Sequence, residues 1–333
     1  MHPTPFSRRA FMQAACVTAA ALPFLPAAAQ QPAGNAPDPD WFFDWREVAP
    51  GVWIALGSGG NSMVVKGDGG TLLVDCKNAP YGEALKRESA ARAAPMTQVV
   101  NTHHHGDHTG GNHAFTGIDI LAHDKATDRV LAQMNRYLSQ MKEAVAQLDG
   151  RTGPAADKVR DEAKAFYLRA SEVKPQDFAP RTTFSQDREL DIGGVTVNLV
   201  HFGPGHTDND IVVFLPASNI LHTGDLLFHK RHPFVDRNGG GNTRAWQQAL
   251  GKAAAMCNDK TVVIPGHGEP TDATGLRAQV AYFDTMRGIV AKAKAEGRSR
   301  KDVAEMDPGV YADYPAGTRT IVLGALFDEL AEP

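Results

Sequence analysis

Apolar residues along this chain recur in two rhythms. After residue 50 the first is that of short β-rich runs, Val52 to Leu56, Ser62 to Lys66 and Thr71 to Asp75, punctuated by Gly57 to Gly60 and Gly67 to Gly70, which predicts a hairpin meander. A helical stretch from Tyr81 to Ala93 and a buried strand from Thr97 to Asn101 follow. From about Lys125 to Ala170 the rhythm lengthens to that of amphipathic helices, with Val130, Met134, Leu138 and Met141 three and four apart and a break at Gly150 to Pro154. Strands return at Thr182 to Phe184, Val195 to Phe202, Ile211 to Leu215 and Ile220 to Thr223, then a helix from Thr243 to Met256 and a strand from Thr261 to Ile264. Helices from Asp272 to Ala295 and from Ala316 to Leu330 close the chain.

Periodicity alone yields only α/β or α+β. Two β-rich halves that each end in helices add a constraint, because two half-apolar sheets must bury their faces. The expected fold is α+β, an αββα sandwich with a helical insertion.

Histidines gather where predicted strands end. The densest group is Thr102-His103-His104-His105-Gly106-Asp107-His108-Thr109-Gly110-Gly111-Asn112. In an extended segment alternate side chains share a face, so His103 and His105 converge while His104 points away. Gly106 lets the chain turn, and Asp107 and His108 follow at a helix start. Imidazole nitrogen and carboxylate oxygen in this density suit a borderline cation such as zinc.

The motif His103, His105, Asp107, His108 resembles the HxHxDH signature of the metallo-β-lactamase superfamily. Phe202-Gly203-Pro204-Gly205-His206-Thr207, Leu221-His222-Thr223-Gly224-Asp225 and Val263-Ile264-Pro265-Gly266-His267 resemble the family's later ligand segments, in family order, between about Val48 and Leu276. The resemblance implies the metallo-β-lactamase fold and two Zn2+ per chain, with Fe or Mn as substitutes. It assigns His103, His105 and His206 to one metal, Asp107, His108 and His267 to the other, and Asp225 to both. It further implies a metal-held hydroxide as nucleophile, with Asp107 orienting it or passing its proton to the leaving group. Asp75, Asp208 and Asp210 are candidates to orient ligand histidines, or to make turns. His104, His113, His123 and His201 read as structural or surface residues, and His222, His229 and His232 as pocket residues.

The departures narrow the chemistry. His105 stands where di-iron oxygen-reducing relatives carry glutamate, which favours hydrolysis. Asp225 stands where the commonest β-lactamases carry cysteine, and Phe228 where they carry the lysine that grips the drug's carboxylate; Lys230 or Arg231 is the available substitute. Asp225 as bridge resembles the glyoxalase II and lactonase branch, and exported metallohydrolases associated with quinoprotein systems. The expectation is a hydrolase of a cyclic or activated acyl carbonyl (β-lactam, lactone or thioester). The alternatives are a mononuclear iron thiol or persulfide oxygenase and a non-enzymatic periplasmic metal-binding accessory protein. The helical insertion is either a lid or wall over the metals, selecting substrate shape, or a packed outer helical pair or dimer contact.

Composition adjusts this picture at its edges. A net charge of −4 over 333 residues provides no field for phosphate backbones, so a small molecule rather than nucleic acid is the expected partner. Oligomeric state is not encoded in any pattern found. Ser7-Arg8-Arg9-Ala10-Phe11-Met12 resembles a twin-arginine export signal ahead of an apolar run from Ala14 to Ala29. Pro23 and Pro26 break that run short of the about 20 residues a permanent span needs. The expected organisation is a cleaved signal over 1–29, a linker over 30–40 and a catalytic domain over 41–333, without a membrane span after cleavage and with a periplasmic destination. Cys76 and Cys257 are the cysteines outside the signal, read as small buried residues or a single bridge.

Overall fold

A computed structural model describes residues 42–139 and 154–331. The expected signal, the linker and the centre of the insertion lie outside the described residues. Two sheets face each other. One has seven strands in the order β1 (Asp44–Ala49), β2 (Val52–Leu56), β3 (Ser62–Lys66), β4 (Thr71–Val74), β5 (Met96–Val100), β6 (Asp119–His123) and β7 (Thr182–Phe184). The other has five, in the order β12 (Val262–Ile264), β11 (Ile220–His222), β10 (Val212–Leu215), β9 (Val195–Val200) and β8 (Arg188–Ile192). Pairing is parallel from β4 to β7 and between β11 and β12, and antiparallel elsewhere.

The strand period of two explains the layers. Met63 and Val65 of β3, Leu72 and Val74 of β4, and Val100 of β5 meet Val197, Leu199, Val213 and Leu215 across the inter-sheet core. The alternate residues Val64, Leu73 and Val99 face outward onto Ala84 and Leu85 of the helix Gly82–Ala90. On the other side Val212, Leu221 and Val263 pack against Trp246, Leu250, Phe283 and Leu326, from the helices Thr243–Ala255, Ala273–Ala295 and Arg319–Glu329. Central strands apolar on both faces are why these segments read as continuous hydrophobic runs. The expected αββα sandwich is the observed fold.

Three strands, β1, β6 and β8, and the short helix Arg300–Glu305 have no counterpart among the expected elements. β1 and β8 lie at sheet edges, where half the residues meet water and the hydrophobic signal is diluted. The described parts of the insertion are the helices Ala126–Ser139 and Pro154–Leu168. Val130, Met134, Phe166 and Phe178 form a separate small core between them and the loop at Ala79. Cys76 is buried, Cys257 is half-buried, and both are free thiols, so no bridge joins them. Among the described residues no helix is long and apolar enough to cross a membrane.

Candidate metal centre

The loops that follow β5, β9, β11 and β12 converge at one edge of the sandwich. β5 ends at Val100 and delivers His103 to His108; β9 leads to His206; β11 ends at His222, before Asp225; β12 ends at Ile264, before His267. This is the usual place for a site in sheets of this kind, outside the carboxyl ends of strands.

The structure brings all seven expected ligand residues together in two groups. In the first, His105 Nδ1 lies 2.8 Å from His206 Nε2 and 3.1 Å from His103 Nε2. In the second, His267 Nε2 lies 3.1 Å from Asp107 Oδ2, and His108 Nε2 lies 3.7 Å from the same oxygen. Asp225 stands between them. Its Oδ1 is 3.1 Å from His108 Nε2, and its Oδ2 is 3.4 Å from both His206 and His267 and 3.8 Å from His103.

Hydrogen bonds behind the rings decide which nitrogen faces inward. His206 donates from Nδ1 to the Phe234 carbonyl at 2.6 Å, leaving Nε2 for the centre. His108 donates from Nδ1 to Asp75 Oδ2 at 2.7 Å. Asp75 also accepts from the amide and hydroxyl of Thr102, and the same hydroxyl lies 3.1 Å from His103 Nδ1. Asp75 has φ +60° as well, so it is both an orienting carboxylate and a turn residue. His105 is reversed: Nε2 donates to Asp236 Oδ2 at 2.9 Å, and Nδ1 faces inward.

Asp236 escaped the sequence reading because it lies 131 positions from the histidine it orients and belongs to no local motif. Its only sequence hint is the glycine run at Gly239 to Gly241, which lets the loop close beneath it; a Cβ at Gly239 would come within 2.1 Å of its carboxylate. Asp208 and Asp210 do not orient His206. Asp208 pairs with Arg129 at 2.7 Å, and Asp210 accepts from the Thr207 amide and hydroxyl.

Of the other histidines, His104, His113, His123 and His201 are structural as expected, while His222 and His232 depart from the expected pocket. His104 is buried in hydrogen-bond contact with Asn209 and lies 3.5 Å from Asp236. His113 donates to the Ala79 carbonyl, and His123 packs against His201 with rings 4.2 Å apart, as structural residues. His222 does not line the pocket: it is fully buried and donates to the Asn61 carbonyl at 3.0 Å. His232 is held by the Tyr282 hydroxyl, and His229 alone of the three lines a cleft.

Electrostatics separate acids from bases. Burial works against the charge of Asp225, yet His267, His108 and His103 outweigh it and hold the carboxyl well below its usual range. Asp107 is likewise held low, burial being overcome by His108 and His267. Burial pushes His103 far down and His206 to about 3, so both present lone pairs at neutral pH. Burial also disfavours charge on His267, but Asp225 and Asp107 raise it to about 9.

The residues fit a cation by the atoms they leave unsatisfied. His108 Nε2 and Asp225 Oδ1 are buried without a hydrogen-bond partner among the described residues, a costly state that a cation between them would relieve. His103, His105, His206 and Asp225 form one group able to hold a metal ion, and Asp107, His108 and His267 another. Glycines press the ligands into place. A Cβ on Gly60 would enter the His108 ring at 2.1 Å, and one on Gly266 would reach Asp225 Oδ1 at 2.0 Å.

Comparison with known proteins agrees with this geometry. The family profile described as Metallo-beta-lactamase superfamily matches residues 56–267. "Probable metallo-hydrolase YqjP" of Bacillus subtilis is 29% identical over 242 residues, covering 67% of this chain and 71% of that protein. "Metallo-beta-lactamase type 2" of Bacillus cereus is 23% identical over 68% of this chain and 74% of its own length. Among solved structures, the metallo-β-lactamase from Pontibacter korlensis superposes with a TM-score of 0.52 at 20% identity, over 72% of this chain and 97% of the other, a likeness of fold.

Proposed function

This chain belongs to the metallo-β-lactamase superfamily, and from that premise we propose that it is a dinuclear zinc hydrolase acting on a cyclic or activated acyl carbonyl of a small molecule. The observation that carries the reading is Asp225, one carboxylate facing both ligand groups with a buried oxygen left unsatisfied. His103, His105 and His206 would hold one cation, Asp107, His108 and His267 the other, with Asp225 shared. When bound, two such cations make water acidic enough to attack near neutral pH and polarise the acyl oxygen.

The chain's own residues then have separable tasks. The anchors behind the rings, Asp75, Asp236 and the Phe234 carbonyl, fix imidazole orientation and tautomer before substrate arrives. Asp107 is the one ligand carboxylate that reaches solvent, with 28% of its side chain exposed against 3% for Asp225. Its ionised oxygen is therefore placed to orient the attacking water and to carry its proton to the leaving group.

β-Lactams, lactones and thioesters all contain such a carbonyl, and a panel of the three, run on metal-quantified protein, tests the reading. Hydrolysis of one class, lost in Asp107→Ala, supports it. Inertness to all three from a protein carrying about two zinc ions would contradict it. A single iron per chain with thiol-dependent oxygen uptake would point to the oxygenase instead. The same proposal includes export by way of the Ser7–Met12 segment, checked by cell fractionation of wild type and an Arg8→Lys, Arg9→Lys variant.

A further inference from the structure

The loop from Phe234 to Gly241 carries both anchors of the first ligand group. Its Phe234 carbonyl fixes His206, and its Asp236 carboxylate fixes His105. The segment after His206 lies directly on this loop: the Asp208 amide donates to the Gly239 carbonyl at 2.9 Å, and the Gly239 amide to Asp236 Oδ1 at 2.8 Å. Gly240, at φ +82°, permits the approach, because a Cβ there would meet the Asp208 Cβ at 2.7 Å. How these two pieces of chain sit against each other sets the spacing of the inward nitrogens of His105 and His206.

One side chain from the insertion spans both pieces. Arg129, near the start of the helix Ala126–Ser139, pairs with Asp208 Oδ2 at 2.7 Å through one arm and donates to the Asn238 carbonyl at 3.2 Å through the other. A planar guanidinium holds its arms at a fixed spacing, so it sets the separation of the two pieces as well as joining them. Asp208 passes the constraint inward. Its Oδ1 accepts from the Asn209 amide at 3.0 Å, and that amide also reaches Nδ1 of His104, the sequence neighbour of His105, at 3.0 Å. The second ligand group takes its supports, Asp75 and the Phe228 ring, from other elements. An ion pair with 30% and 18% of its side chains exposed contributes little to global stability by itself, so its placement is the telling feature.

We propose that the insertion is a brace on the buried metal group, with Arg129 as its positioning residue: by tying Asp208 to Asn238 it holds the segment after His206 against the loop that anchors both rings. It acts through the backbone, not by a bond to either imidazole. This rests on the reading of the seven residues as metal ligands, not on which acyl compound is hydrolysed.

Chelator competition on the cobalt-loaded full chain, followed by visible absorption, tests the brace without turnover. The step that persists in the Asp107→Ala, His267→Ala variant marks the first ion. Arg129→Met should weaken that ion about 3- to 30-fold and alter its absorption bands, while the second ion shifts by less than about twofold. Arg129→Lys, which keeps a charge for Asp208 but loses the fixed second arm, should fall between. Arg300→Met, which removes the exposed pairing with Asp328 between the helices Arg300–Glu305 and Arg319–Glu329, should leave both ions unchanged. A first ion unchanged in both Arg129 variants, or both ions weakened equally, would overturn the proposal whatever happens to the unfolding temperature. If wild type binds a single ion that Arg129→Met still weakens, the brace stands and the dinuclear reading falls; a chain that binds no cobalt overturns both.

Discussion

The two ligand groups differ in depth and in chemistry. His103, His105 and His206 meet through nitrogen alone, and the side chains of His103 and His206 are fully buried. In the second group Asp107 and His267 keep 28% and 25% of their side chains exposed, with only His108 fully buried. The first group is backed by Asp236 and the Phe234 carbonyl; the second has Asp75 behind His108 and the Phe228 ring against His267. On the proposed reading the buried group would retain a cation, and the open one would meet substrate and exchange protons.

The strongest way to break this comparison is to remove one member from each side. His103→Ala and Asp107→Ala should each lower hydrolysis by at least about 10³-fold while leaving the circular dichroism spectrum unchanged. Wild-type rate in either would remove that residue from the site. Asp225→Ala should come next, reducing bound metal from about two ions to about one, read by elemental analysis after dialysis.

Acidification sharpens the contrast. His267 is raised to about 9, so at neutral pH a cation must displace its proton, whereas His206 at about 3 needs no such step. The open group holds such protons on both His267 and His108 and the buried group on His105 alone, which Asp236 raises against its burial, so affinity falls with acid at both groups and more steeply at the open one. Stepwise dialysis from about pH 8 to about pH 6 should release the second ion first. Simultaneous loss of both would show that the two groups act as one. A smaller effect is expected at Asp236→Asn, about 10- to 100-fold in affinity of the first ion, measured by chelator competition.

The smallest expected effect lies in the scaffold. Lys77 is fully buried, donates to the Ala55 and Gly60 carbonyls, and is pushed down by burial to about 7 from an ordinary 10.5. Between those values the unfolded chain binds the proton and the folded chain does not, so stability rises with pH across the window. Urea unfolding midpoints at about pH 7 and about pH 10 should diverge in wild type and converge in Lys77→Met.

Much of the site was legible because four of its ligand residues sit within six positions and the others follow Pro-Gly or Thr-Gly at strand ends. What was hidden depends on tertiary distance. Asp236 reaches His105 only after the chain has closed, and His222, three positions before Asp225, is carried by β11 to the Asn61 carbonyl instead of to the centre. The fold followed from two β-rich halves that each end in helices, whose central strands β3, β4 and β10 are apolar on both faces and need cover on each side. β1 and β8 were missed because Asp44–Ala49 and Arg188–Ile192 carry charges where an edge faces water. The Ser7–Met12 segment lies outside the described residues.

The central claim is that seven side chains make two metal sites and not one. Elemental analysis of wild type beside the double variant Asp107→Ala, His267→Ala tests it most directly. The account predicts about two zinc ions per chain in wild type and about one, held by the buried histidines, in the variant. One ion in wild type, or an unchanged count in the variant, would contradict it.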